Sequence, residues 1–150
     1  MANAVPGILL DTNVLSELMR AQPDETVLAW FKQQKGVRFY TCSITQAEIL
    51  LGIALLPPGK RKAGLLTTAE KMFAEDFGGY CLHFDGVAAT EYALLVAVRS
   101  KAGKPIATED AQIAAIAVCH GLTLATRNEK DFVLIEGLQV VNPWHSNDGH

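Results

Sequence analysis

The sequence predicts an α/β fold, a central and mainly parallel sheet with helices on both faces. Short apolar runs alternate regularly with helix-like segments along the chain. The first run, Ile8-Leu9-Leu10, is wholly apolar, as expected of a strand covered on both sides. The segments between the runs carry caps at their starts and glycine or proline at their ends. Strands separated by helices pair in parallel, and ligands in such folds bind beyond the carboxyl ends of the strands.

Taken in order, Ile8 to Leu10 form a buried strand that ends at Asp11. Thr12 and Asn13 are placed to cap a helix running to Met19 or Arg20. Pro23 and Asp24 open a second helix, which runs to about Lys35 and is stopped by Gly36. Val37 to Cys42 reads as the next strand. Ser43 followed by Gln46 has capping-box form and opens a helix to about Leu55, ended by Pro57-Pro58-Gly59. Lys60 to Phe77 is a further helix closed by Gly78-Gly79, and Cys81 to Phe84 a strand. Val87 to Lys101 is helical and ends near Gly103. Thr108 caps a helix through His120, which Gly121 ends. Leu122 to Ala125 is a strand, Asn128 to Phe132 a helical turn, and Gln139 to Val141 a last short strand.

A chain of 150 residues, 49% of them hydrophobic, suits one domain with a core that needs no staples. Residues 1–145 read as that domain and 146–150 as a flexible tail. The net charge of -3 and pI near 5.8 argue against a general nucleic-acid binder. They do not exclude a nuclease, because bound divalent cations reverse the local field. Cys42, Cys81 and Cys119 are too widely spaced for a disulfide framework or a zinc site. They read as buried reduced thiols, which implies a reducing, cytoplasmic compartment. The N-terminal MANAVPGILLDTN lacks the basic region of a signal peptide, and no stretch approaches the ~18 apolar residues of a membrane span. His83, His120, His145 and His150 are scattered and read as ordinary.

Three acids stand where apolar residues are expected. Asp11 follows the first strand directly and reads either as a site residue or as the cap of the next helix. Glu48 lies four residues after Ile44 and three before Leu51, so it is expected to point inward with Ile44, Leu51, Leu55 and Ala47; the alternative is a side chain at the helix edge. Asp110 precedes Ile113, Ala114 and Ala117 at helical spacing, although an acid in a first turn also favours the macrodipole. Glu109 is expected to face solvent. Carboxylates gathered in one pocket need protons or a cation, and an all-oxygen set favours Mg²⁺ or Mn²⁺. Such a site activates water and stabilises charge on a phosphate. Lys60-Arg61-Lys62, with Arg99, Lys101 and Lys104, are candidate phosphate contacts or solvated helix faces. Trp30, Phe31, Leu55 and Leu56 belong either to the core or to an interaction surface.

The motifs resemble a known family. Leu9 to Glu17, LLDTNVLSE, is similar to the opening of PIN-domain proteins. Ser43 to Gly52, with Glu48, resembles their second motif, and Asp110 to Ala115 their third. Ala125-Thr126-Arg127-Asn128 followed by Asp131-Phe132 resembles the fourth, and Asn142-Pro143-Trp144 the usual ending of the VapC and FitB-like branch. The resemblance spans nearly the whole chain in order. It implies a PIN-like three-layer α/β/α sandwich and a Mg²⁺-dependent endoribonuclease, the toxin of a type II toxin–antitoxin pair. It further implies a homodimer, held inactive by a VapB- or FitA-like antitoxin that alone contacts operator DNA. Asp11, Glu48 and Asp110 fall on the family's acidic metal-site positions. The fourth such position is Asn128, which supplies an oxygen but no charge; Asp131 is the nearby substitute, or else a local cap or salt-bridge partner of Lys130 or Arg127. Thr12 and Thr126 carry hydroxyls suited to hold the acids or a metal-bound water.

Two other readings compete. A phosphotransferase of the haloacid-dehalogenase type also begins strand–Asp, but its DxDxT opening would need Asp at Asn13 and Thr at Leu15. A binding module that kept the fold without catalysis is supported by Asn128.

Overall fold

The computed structural model describes residues 5–145. The tail expected over residues 146–150 lies outside the described residues. Five strands, β1 (Gly7–Leu10), β2 (Arg38–Cys42), β3 (Cys81–Leu82), β4 (Thr123–Ala125) and β5 (Val140–Val141), pair in the order β3-β2-β1-β4-β5. Every pairing is parallel. The helices are α1 (Thr12–Leu18), α2 (Glu25–Gln33), α3 (Ser43–Ala54), α4 (Lys60–Lys71), α5 (Gly86–Lys101) and α6 (Thr108–Cys119). A 3₁₀ turn, Glu129–Phe132, separates β4 from β5.

The alternation of side chains along β1 divides the core in two. Leu9 stands in register with Tyr40 and Leu124 and joins the cluster under α5 and α6. Ile8 and Leu10 point the other way, beside Phe39 and Ala125, into the cluster formed with α1 to α4. Leu9 and Leu10 are fully buried, each worth roughly 1.5–3 kcal/mol of apolar burial. The three-layer α/β/α sandwich follows directly from this two-sided strand. On α6, Ile113 to Ala117 are all 0% exposed, so the helix centre is buried on every side. Gly103 and Gly121, at φ 74° and 63°, take the left-handed conformation that ends α5 and α6.

Several local expectations shift. Asp11, not Thr12 or Asn13, caps α1: the chain passes from strand to helix without a loop, and the last extended residue becomes the cap. The same junction puts Cys42 before α3, so Ser43 is already helical and the Ser43–Gln46 capping box does not form. Gln46 accepts from the Cys81 thiol instead, at 3.6 Å. Ala107 rather than Thr108 precedes α6. The helix beginning at Lys60 widens into a π turn, Met72–Asp76. Residues five apart share a face only in that wider turn, and Met72 and Phe77 are both buried there. Of the cysteines only Cys42 is buried; Cys81 and Cys119 are partly exposed, and all are free.

The face expected of α3 is also corrected. Thr45, Ile49 and Ile53 are its buried residues, while Leu51 and Leu55 are 59% and 76% exposed and Ala47 is exposed. Trp30 and Phe31 pack into the core, and Leu56 lines a cavity beside α4.

Arg99 is not a phosphate contact. It is 4% exposed and donates to the carbonyls of Lys104 (2.7 Å), Asp131 (2.8 Å) and Val133 (2.8 Å). It thereby ties the end of α5 to the loop after the 3₁₀ turn. Arg99→Met should leave those carbonyls without their charged donor and cost about 3 kcal/mol. Lys101→Ala, at an exposed position, should stay within about 0.5 kcal/mol. Urea denaturation of both variants checks this; equal midpoints would refute the role given to Arg99.

Candidate active site

β1 is the middle strand, and the chain winds away from it in opposite directions towards β2 and β4. The crevice at such a switch point lies past the carboxyl ends of β1 and β4. Asp11 stands there. Its amide extends the ladder to the Ala125 carbonyl at 2.9 Å, so backbone pairing holds the residue to the sheet. One carboxylate oxygen accepts from the Thr12 amide at 2.8 Å. The other accepts from the Thr126 hydroxyl at 2.7 Å and, more weakly, from the Asn13 amide at 3.4 Å. Asp11 is 4% exposed, and burial pushes its pKa up. The Thr126, Thr12 and Asn13 donors pull it back, while the charge of Glu48 adds to the rise.

Glu48 reaches the same place from α3. It stands beside the buried Thr45–Ile49 face, and its Oε1 accepts from the Thr12 hydroxyl at 2.6 Å. Thr12 Oγ1 also lies 3.1 Å from Thr45 Oγ1. The Thr12 hydroxyl has one proton, given over the shorter distance to Glu48, so the Thr45 proton fills the second contact. A chain of hydroxyls thus runs from the buried Thr45, in the first turn of α3, through Thr12 to the Glu48 carboxylate.

Asp110 comes from the first turn of α6. It is pushed up to about 6, first by burial and then by the charges of Asp11, Asp131, Glu48 and Glu109. Asp11, Glu48 and Asp110 line one cavity of about 530 Å³, together with Glu17, Arg20, Arg127 and Trp144. A second cavity, of about 840 Å³, opens beside it between α1, α3 and α4 and shares Thr12, Glu48 and Arg20.

Among the described residues no three His, Cys, Asp or Glu side chains are grouped closely enough to hold one ion between them. The carboxylates face a shared space without closing on a point. Mg²⁺ retains several of its waters and takes one or two carboxylates directly, so this donor set fits a largely hydrated ion. The fit also rests on charge: Glu48 raises the proton affinity of Asp11, and Asp11 and Glu48 raise that of Asp110, a repulsion that a cation relieves.

Other candidate residues stand further off. Asn128 is exposed, its backbone amide donates to the Thr126 hydroxyl at 3.1 Å, and its side chain does not line the cavity. Asp131 is exposed and acts on Asp110 by charge alone; among the described residues it makes no ion pair with Lys130 or Arg127. Glu109 is exposed, as expected.

Two arginines, Arg20 and Arg127, also line this cavity. Arg20 pairs with the buried Glu17, at 3.2 and 3.0 Å, and Glu17 also accepts from the Asp24 amide at 2.7 Å. Their three-residue spacing across the end of α1 is the local signal for this pair. Arg127 lies with its guanidinium 4.9 Å from the centre of the Trp144 ring. No local spacing predicts that contact, which joins residues far apart in the chain.

Known proteins resemble this chain in sequence and fold. The model of the PIN domain matches residues 8–138. The Toxin FitB of Neisseria gonorrhoeae is 44% identical over 92% of this chain and 99% of its own length. The VapC ribonuclease Y4jK of Sinorhizobium fredii is 42% identical over 91% of this chain and 97% of its own. A solved structure of FitAB bound to an IR36 DNA fragment superimposes with a TM-score of 0.84 at 42% identity, covering 95% of this chain and 99% of that one. These likenesses set aside the haloacid-dehalogenase-type reading, which the residues at Asn13 and Leu15 already opposed. With Asp11, Glu48 and Asp110 drawn together at the switch point of an all-parallel sheet, the chain belongs to the PIN-domain family, within its VapC- and FitB-like toxins.

Proposed function

We propose that this chain is a Mg²⁺-dependent endoribonuclease, the toxin of a type II toxin–antitoxin pair, for which Mn²⁺ can substitute. The observation that carries the reading is the meeting of three carboxylates from β1, α3 and α6 in one cavity. The ribonuclease and toxin names of its relatives support the substrate class. Asp11 and Asp110 would hold the ion, with Glu48 beside them. A bound Mg²⁺ supplies an activated water and neutralises charge at the scissile phosphate. The chain's own residues orient and tune. Thr126 and the Thr12 amide fix both oxygens of Asp11, and the Thr12 hydroxyl aims Glu48. The raised proton affinity of Asp110 makes its ionisation responsive to a nearby cation.

The FitAB relative, solved bound to a DNA fragment, supports a FitA- or VapB-like antitoxin as partner; we take operator DNA to be contacted only through that antitoxin. We take the active form as a cytoplasmic homodimer. No helix among the described residues is long and apolar enough to cross a membrane. One observation favours the alternative of a non-catalytic binding module: Asn128, at the fourth acidic position, brings no charge and stands outside the cavity.

Antitoxin-free protein should cut single-stranded RNA with Mg²⁺ and stop with EDTA. Asp11→Asn and Asp110→Asn should each lower cleavage at least ~100-fold, as loss of a preorganised charge does. Full activity in either variant would sink the site assignment, and no cleavage by the wild type with Mg²⁺ or Mn²⁺ would favour the binding module.

Thr126→Val keeps the shape of the side chain and removes the hydroxyl that holds Asp11. It should weaken Mn²⁺ binding, read by calorimetry, by about 10–100-fold. Unchanged affinity would show that Asp11 needs no such support.

Asp110 also predicts a pH dependence. Between its ordinary value of 3.8 and about 6, the native state holds a proton that the unfolded chain has released. Native stability therefore falls as pH rises through that window, and the loss is complete above it. In EDTA at pH 7.5, Asp110→Asn should melt roughly 2–4 °C above wild type, and the gap should close below about pH 4. A melting temperature below wild type at pH 7.5 would contradict the charge argument.

A further inference from the structure

The reading above places an anionic polymer at a cavity walled by carboxylates, where a cation of the chain beside the bound metal would meet the flanking phosphates. Two arginines line that cavity, Arg20 and Arg127. Arg20 is already paired with Glu17 through both carboxylate oxygens. Arg127 is exposed and has no carboxylate within ion-pair distance among the described residues. None of its guanidinium N–H groups has a hydrogen-bond partner there, and the group lies over the indole of Trp144. Stacking on an aromatic face orients a guanidinium and leaves its in-plane donors free for a phosphate.

The backbone of Arg127 is held as firmly as its side chain is open. Its amide donates to Asn13 Oδ1 at 3.2 Å, and Asn13 in turn touches Asp11. Its carbonyl accepts from Asn142 Nδ2 at 3.2 Å. Asn142 is buried, donates also to Glu129 at 3.2 Å, and accepts from the Trp144 amide at 2.9 Å. Pro143, between Asn142 and Trp144, is fully buried. The Asn142-Pro143-Trp144 segment therefore grips Arg127 at both ends, main chain and guanidinium.

We propose that Arg127 is the residue that contacts an RNA phosphate next to the acidic cavity, and that Trp144, anchored by Asn142, is its positioning residue. This inference rests on the ribonuclease reading. A basic patch is unnecessary: one uncompensated guanidinium, beside carboxylates whose charge a cation offsets, is enough to set the register of the strand.

The test uses full-length protein and a fluorescein-labelled single-stranded RNA, with binding read by anisotropy across a salt series and cleavage read in parallel. Arg127→Ala should weaken binding roughly 5- to 10-fold and lower the slope of log affinity against log salt by about 0.7. Mn²⁺ affinity and melting temperature should stay at wild-type values. Arg127→Lys should keep the slope. Trp144→Phe, which preserves a ring face, should bind within about 2-fold of wild type, whereas Trp144→Leu should raise KM at constant kcat. The Trp144→Leu effect should vanish in the Arg127→Ala background, as coupling through one contact requires. A wild type that binds RNA while Arg127→Ala keeps its full salt slope overturns the assignment and leaves the ribonuclease reading standing. Additive effects of the two substitutions overturn the positioning role of Trp144. A wild type that neither binds nor cuts RNA overturns both readings.

Discussion

The structure depends on one constraint, the burial of a carboxylate at the end of its central strand. Asp11 is held where β1 must stop being sheet and α1 must begin. The same side chain caps the helix, accepts the Thr126 hydroxyl from the neighbouring strand end, and faces the cavity. Three donors reduce the cost of burying its charge without removing it, since its pKa remains raised. Capping α1 and facing the cavity therefore fall to one residue, because the strand-to-helix junction leaves no other residue between sheet and helix.

Around that point the molecule arranges charge in compensated and uncompensated parts. Glu17 and Arg20 neutralise each other and serve the start of α2 through the Asp24 amide. Arg99 saturates carbonyls beneath the surface. What is left over is acidic: Asp11, Glu48 and Asp110 repel one another across the cavity. A net charge of -3 does not reveal this local division of charge.

The chain's order of elements was readable because each depends on neighbours in sequence. Apolar runs, the Asp24 cap, and the glycines after α5 and α6 act within a turn or two. Glu48 does line the cavity, but not on the helix face its spacing predicts: Leu51 and Leu55 are exposed, and the buried stripe is Thr45, Ile49 and Ile53. Helix α3 carries apolar residues all round, so periodicity cannot say which side meets the sheet. Asp110 lies in the first turn of a helix whose whole centre is buried, where periodicity carries equally little.

The sequence by itself determined the α/β class, the parallel sheet, and the three acids as residues out of place among apolar neighbours. Those follow from short-range spacing, which covalent geometry imposes on any chain. Only the tertiary structure decided what holds Asp11 and Glu48, that Asn128 stands outside the cavity, and that Arg99 is structural while Arg127 is open. These outcomes hang on contacts between elements distant in sequence, such as Thr126 with Asp11 and Trp144 with Arg127. No local pattern encodes such pairs; they exist once the sheet order brings β1, β4 and β5 side by side.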